Sequence, residues 1–402
     1  MRILWVKENF LDPLHGGGAI RTLGILRRLS TRHEIHYLGF ADRTADPVDT
    51  SEYCYRSYAV QSPFREISSL CDGVPAVVPE EIRFSSEEMR CLIEALVVRH
   101  RFDHIICDFP HVALSLGYQL RRSILFQHNV ECVIFERMAE CTTDSVTQSV
   151  LRQKANVMFE YEKWLCNSVR QVIASSPVDA DIIRKRFGTD RVSWVPTGVD
   201  IEYYRRRPST HSCDLMFTGA MGWAPNIDAV SYFAANIFPL IAERRPGTSF
   251  HIVGRDPSDE VRRLADLNRD IHVTGTVEDI RPWLWGAKVA VVPLRAGSGT
   301  RLKIPESMAA SVPVVSTTIG AEGLEVANCK NILIANDPCE FAELCLQLLD
   351  QPSYAARLAS AALSHVRENC SLDAVVRSFE HILEVQKAEV MARRWLLENR
   401  PS

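Results

Sequence analysis

The 402 residues contain no Cys-x-x-Cys pair, no Cys/His ligand spacing and no apolar run long enough to span a membrane. Twelve scattered cysteines indicate neither a zinc site nor a disulfide framework, and a reducing cytoplasm fits them best. An excess of one charge is also missing. Lys and Arg number 46 against 50 Asp and Glu, a net charge of -4, so nothing points to nucleic acid as a partner. The opening Met-Arg-Ile-Leu-Trp-Val-Lys is too short for a signal peptide or a span, and the expectation is a soluble chain, at most peripheral to a membrane. The first glycine cluster lacks the Gly-x-Gly-x-x-Gly spacing of dinucleotide sites. The one Asp-x-Asp, Asp179-Ala180-Asp181, falls at a predicted helix start and reads as capping charge, so no metal site is expected.

What is present suffices for two domains, each with its own core. The most informative stretch is Val289 to Leu324, where two β-branched apolar runs flank a glycine-containing loop and a helix, one β-loop-α-β unit. Gly297 and Gly299 allow the backbone to approach a ligand closely, and Pro305 is tolerated only near a helix start, placing that start close to Arg301 to Ile304. A helix N-terminus with Arg301 and Lys303 beside it favours an anion, so the loop reads as a phosphate or diphosphate cradle. Glu306, one turn on, is set to accept hydrogen bonds from the hydroxyls of whatever carries the phosphate.

The amino-terminal half opens in the same style. A strand over Arg2 to Val6 leads to the glycine loop His15-Gly16-Gly17-Gly18 and a helical pattern through Leu23, Ile25, Leu26 and Leu29. Strands follow at Glu34 to Phe40, at Phe102 to Cys107 ending in Asp108 to His111, and at Ser123 to Gln127 ending in His128 to Glu131. Helices are predicted over 86–100, 112–121, 146–169 and 177–187. Strand ends of this kind line the crevice of an open α/β sheet, which puts His128 at a carboxyl edge. The alternative for His128 is a structural pin on a backbone carbonyl. Asp108 and His111 occupy a comparable strand end.

The run Gly-Ser-Gly-Thr-Arg-Leu-Lys-Ile-Pro-Glu-Ser-Met-Ala followed by Val-Pro-Val-Val-Ser-Thr-Thr-Ile-Gly-Ala-Glu-Gly-Leu resembles the donor-site signature of the family 4 retaining glycosyltransferases. Pro196-Thr197-Gly198-Val199-Asp200 resembles the element that closes the first domain in that family. The resemblance implies an α/β fold of GT-B architecture: two doubly wound Rossmann-like domains facing across a cleft, with a C-terminal helix crossing back to the first. The expected boundaries are 1–204 for the acceptor-binding domain, 205–213 for a linker, 214–370 for the donor-binding domain and 371–402 for the returning helix.

By the same resemblance Arg301 and Lys303 hold a nucleotide diphosphate, Glu306 holds the donor ribose, and Gly297, Ser298, Gly299 and Thr300 line the donor. Ser298 stands where many members carry a Glu that contacts the transferred sugar. Gly17 and Gly18 match a glycine pair that approaches the donor phosphates or the acceptor, the loop at Val277 reads the base through its backbone, and His128 contacts the reacting sugar. An Arg and a Lys common after the first strand of the second domain are absent from Met221 to Asn226. The implied reaction is metal-independent transfer of a sugar, without a cofactor, from a nucleotide-diphosphate sugar to a carbohydrate or lipid-linked acceptor with retention, in the cytoplasm or at the inner membrane face. A GT-B nucleotide-sugar 2-epimerase and a silent nucleotide-binding subunit are the alternatives.

Overall fold

Runs such as Ile3-Leu4-Trp5-Val6 and Val289-Ala290-Val291-Val292 place apolar groups on consecutive residues, a pattern suited to strands covered on both faces. In the computed structural model each run is a strand, and all eight residues are buried. The structure describes residues 1–11, 16–41, 49–61, 78, 79, 82, 85–299 and 301–399, without the side chains at 16, 393, 394, 397 and 398. Contacts divide the chain into two units. One comprises Met1–Cys132, Arg152–Pro196 and Leu372–Ser402, the other Val133–Leu151 and Thr197–Ser371.

The first unit is built on seven strands: β1 (Arg2–Lys7), β2 (Glu34–Ala41), β3 (Arg56–Gln61), β4 (His104–Asp108), β5 (Ile124–Phe126), β6 (Gln171–Ala174) and β7 (Val192–Trp194). They lie in the order β3-β2-β1-β4-β5-β6-β7, all parallel. The winding reverses between β1 and β4, whose last residues Lys7 and Asp108 are register partners. An open parallel sheet binds ligands at such a switch point, outside the carboxyl ends of its strands.

The second unit repeats the plan with β8 (Cys213–Thr218), β9 (Phe250–Val253), β10 (Ile271–Gly275), β11 (Ala287–Val292), β12 (Val314–Ser316) and β13 (Leu333–Ile334), ordered β10-β9-β8-β11-β12-β13. Its switch point lies between β8 and β11. The α/β, doubly wound expectation therefore holds in both units. The C-terminal helix Leu372–Glu398 adds Val375, Val376, Phe379 and Leu383 to the first unit's core, and Phe379 stacks on Trp5 with ring centroids 5.7 Å apart.

Two expectations need correction, and one helix has no counterpart in the sequence reading. Gly17 and Gly18 lie in the first turn of the helix Gly16–Leu29, not in a loop before it. The predicted helix 112–121 is instead a 3-10 run, Pro110–Arg122, interrupted at Gly117 with φ +51°, because a left-handed glycine cannot continue an α-helix. A helix over Glu131–Cys141 was not foreseen from the sequence. Its start is held by the carboxylate of Glu162, which accepts the backbone N–H of Glu131 at 2.8 Å and of Cys132 at 3.0 Å.

Candidate functional site

The predicted cradle follows β11 in the second unit. Gly297 and Gly299 have φ of +138° and +73°, left-handed conformations that a side chain would strain. The helix begins at Lys303, as the position of Pro305 requires, and Pro305 falls in its first turn, where a missing N–H costs nothing. At seven residues, Lys303–Ala309, this helix has only a weak macrodipole. Positive charge at the loop is carried mainly by side chains.

Arg301 is buried, donates from Nη1 to the carbonyl of Gly299, and has Nη2 3.9 Å from Glu322 Oε2. Arg137 also reaches this loop, donating from Nη1 to the Gly297 carbonyl at 2.5 Å while pairing with both Glu322 oxygens at 2.6 and 2.8 Å. Lys303 donates to Asn226 Oδ1 at 2.7 Å, with its ammonium 4.0 Å from the centroid of the Phe217 ring. Burial, and then the neighbouring Arg301, push the Lys303 ammonium down to about 7. A cation held so far from its ordinary value is poised to gain stability when a diphosphate arrives.

Glu306 is buried, and its Oε1 accepts the Tyr204 hydroxyl at 2.8 Å. Burial raises its carboxyl. Ser298 is buried in the loop, Val277 packs against the second unit's core, and Thr300 lies outside the described residues.

The second cluster lies at the switch point of the first unit. Asp108 is fully buried and takes four donors: Trp5 Nε1 at 2.8 Å, Thr22 Oγ1 at 2.7 Å, Lys7 Nζ at 3.1 Å and His128 Nε2 at 2.7 Å. Burial opposes ionisation, yet Lys7 and His128 hold this carboxyl well below the usual carboxylate range. Lys7, buried as well, is kept charged by Asp108 and Glu8 against the same desolvation. Burial lowers His128 despite Asp108, so the imidazole is neutral near pH 7. With an ionised acceptor at Nε2, the proton sits on Nε2 and Nδ1 is left as an acceptor. That atom is buried and has no hydrogen-bond partner among the described residues. Gly18 lies against the His128 ring, where a Cβ would stand 3.6 Å away, in ordinary van der Waals contact.

The structure thus brings Gly18, Asp108 and His128 together. The backbone-carbonyl pin considered for His128 is replaced by a carboxylate partner. His111 instead packs its ring edge-on against Phe109 at 4.6 Å. Sequence reasoning missed Asn226, Tyr204, Arg137 and Glu162. Asn226 falls inside the Met221 to Asn226 stretch noted for its lack of bases, and Tyr204 lies one helical turn beyond Asp200, so both had a local signal. Arg137 and Glu162 had none. Asp179 lies in the first turn of the helix Pro177–Ile182, where Ser176 is the cap: Ser176 Oγ accepts the Asp179 N–H at 3.0 Å, and the Asp179 carboxylate accepts the Ser175 hydroxyl at 3.0 Å. Among the described residues no His/Cys/Asp/Glu group could hold a metal ion.

The family model described as Glycosyltransferase Family 4 matches residues 15–203, and the one described as Glycosyl transferases group 1 matches 212–351. An uncharacterized protein of the cps region of Klebsiella pneumoniae is 21% identical over 385 residues, 92% of this chain and 96% of that protein. Among solved structures, sucrose-phosphate synthase from Thermosynechococcus elongatus superposes with a TM-score of 0.75 at 16% identity, covering 96% of this chain and 99% of that one. Anabaena HepE, solved in complex with UDP and glucose, gives a TM-score of 0.69 at 16% identity, covering 96% and 100%. These two structural likenesses bear on the fold, which is GT-B.

Proposed function

We propose a mechanism on one premise: the chain belongs to the group 1, family 4 glycosyltransferases. As such it transfers sugar from a nucleotide sugar in glycan assembly. In our reading Arg301 and Lys303 bind the donor diphosphate, Glu306 uses the oxygen not taken by Tyr204 to hold the ribose, and the Val277 loop reads the base through its backbone. As the glycosidic bond breaks, negative charge gathers on the leaving diphosphate. Arg301 and Lys303 stabilise that charge without a metal or cofactor. The observation that carries this reading is the partly desolvated Lys303 ammonium beside the Arg301 guanidinium at the switch point.

In the first unit His128 offers Nδ1 to a sugar hydroxyl. Asp108 fixes the tautomer that makes this possible, and Gly17 and Gly18, in the first turn of their helix, let its backbone approach the donor phosphates or the acceptor. The reaction retains configuration: the acceptor attacks the face the diphosphate leaves, and its proton follows the departing oxygen. The acceptor is a carbohydrate or a lipid-linked saccharide, met in the cytoplasm or at the inner face of the membrane. Among the described residues no helix is long and apolar enough to cross a membrane.

The test is a panel of nucleotide sugars, assayed metal-free for released nucleoside diphosphate and for the sugar product, with Arg301→Ala and Lys303→Ala alongside. The expected result is slow hydrolysis of one donor, with kcat reduced about 100-fold or more in each variant and a smaller change in nucleoside diphosphate affinity. Near-wild-type turnover in Lys303→Ala refutes the assignment, and a free sugar epimer as product would make the protein an epimerase.

A further inference from the structure

The first half of the helix Leu372–Glu398 is buried in the first unit's core, but its second half is not. Val385, Val390, Met391, Trp395 and Leu396 are 41%, 43%, 63%, 63% and 59% exposed, a third of the large exposed apolar side chains among the described residues gathered within twelve residues. Val385, Ala388, Met391, Ala392, Trp395 and Leu396 share one side of the helix by its 3.6-residue period. Solvated helices rarely keep a tryptophan and a leucine side by side in water without use for them.

Charge indicates what covers this stripe. Residues 385–400 contain Arg393, Arg394 and Arg400, besides Lys387, which pairs with Asp103 at 2.9 Å, against Glu389 and Glu398, a basic segment in a chain of net charge -4. We infer that this helix end is a docking surface for an anionic lipid bilayer, lying in the headgroup plane with Trp395 and Leu396 toward the acyl boundary. Trp and Leu beside adjacent arginines is the composition of an interfacial helix, where aromatic rings sit at the boundary and guanidinium groups meet lipid phosphates. A second copy of the chain is the poorer occupant. A helix-pairing seam through 385, 388, 392, 395 and 399 would place Ala at two positions, Trp at one and Asn at another, where coiled coils require Leu or Ile.

The surface shares no residue with either cluster of the candidate site, so it can be tested without reference to catalysis. The full chain is sedimented with phosphatidylcholine vesicles prepared with and without phosphatidylglycerol, at low and high salt. The expected result is binding to the phosphatidylglycerol vesicles that weakens with salt and falls about tenfold or more in Trp395→Ala/Leu396→Ala and in Arg393→Glu/Arg394→Glu. Donor hydrolysis in solution and the circular-dichroism melting curve stay unchanged in both variants, separating lost docking from misfolding. Absence of vesicle binding, equal binding by the variants, or a concentration-dependent dimer that the same substitutions abolish would overturn the proposal.

Discussion

Lys303 is the residue whose titration links the cradle to its ligand. Free of ligand, its ammonium is held at about 7, by burial first and Arg301 second, against an ordinary value of 10.5. A bound diphosphate adds two or more negative charges beside it and drives the value back up. Between the two values the complex holds a proton that the free protein has released, so binding takes up protons and affinity falls as pH rises above about 7. The sign for folding is the opposite: over this window the unfolded chain binds the proton and the folded chain does not, so this group makes the fold gain stability as pH rises from about 7 toward 10.5. Calorimetric titration with a nucleoside diphosphate near pH 8, in two buffers of different ionisation heat, should show uptake of a large fraction of about one proton. Lys303→Met should abolish that uptake. An uptake that survives the substitution would assign the proton elsewhere.

Among the elements, the strand-to-helix turns after β8 and β11 set the site, and they do so by close approach. Gly219 follows β8, and a Cβ there would stand 2.6 Å from Asn226 Nδ2 and 3.3 Å from Lys303 Nζ. Gly219→Ala must therefore displace Asn226, which loses its hold on Lys303. The expected outcome is nucleoside diphosphate binding weakened about tenfold by loss of one positioned hydrogen bond to a charged group, read by titration, with the strands intact by circular dichroism. The cradle after β11 was legible because glycines, a proline and two bases occur within nine residues of one another, each with a local physical meaning. The partners that fix it were harder to see. Asn226, Arg137 and Glu322 lie far from Lys303 and Arg301 in sequence; the return of β8, β11 and β12 to a common edge brings in Asn226 and Glu322, and the helix Glu131–Cys141 brings in Arg137. A triple glycine reads as a loop because glycine disfavours helix interiors; in the first turn, where N–H groups lack partners anyway, that cost is small, and Gly17 and Gly18 are helical. Glu162 escaped notice because a glutamate between apolar helix positions ordinarily faces water, whereas this one caps another helix from within the core.

At the scale of the whole molecule, each unit offers one switch point, and the two differ in charge. In the first, the buried Lys7 and Arg21 are balanced by Asp108 and Glu8, and the neutral His128 presents an acceptor suited to a hydroxyl. In the second, Arg301 and Arg137 lie against Glu322, and Lys303 lies near the raised carboxyl of Glu306, which leaves positive charge in excess among the described residues of the cluster. A nucleoside diphosphate carries charge that only the second cluster can balance, so on electrostatic grounds the units divide the labour between diphosphate and sugar hydroxyls. Hydrogen exchange tests this division directly. A saturating nucleoside diphosphate alone should slow exchange in peptides over 213–226 and 292–309, where binding removes local openings, and leave peptides over 104–132 at their unliganded rates. Lys303→Ala should reduce the protection in 292–309, whereas His128→Ala should leave it intact. Equal protection of 104–132 by the nucleotide alone would mean that the first unit also binds the diphosphate, and the hydroxyl-facing role of His128 would have to be abandoned.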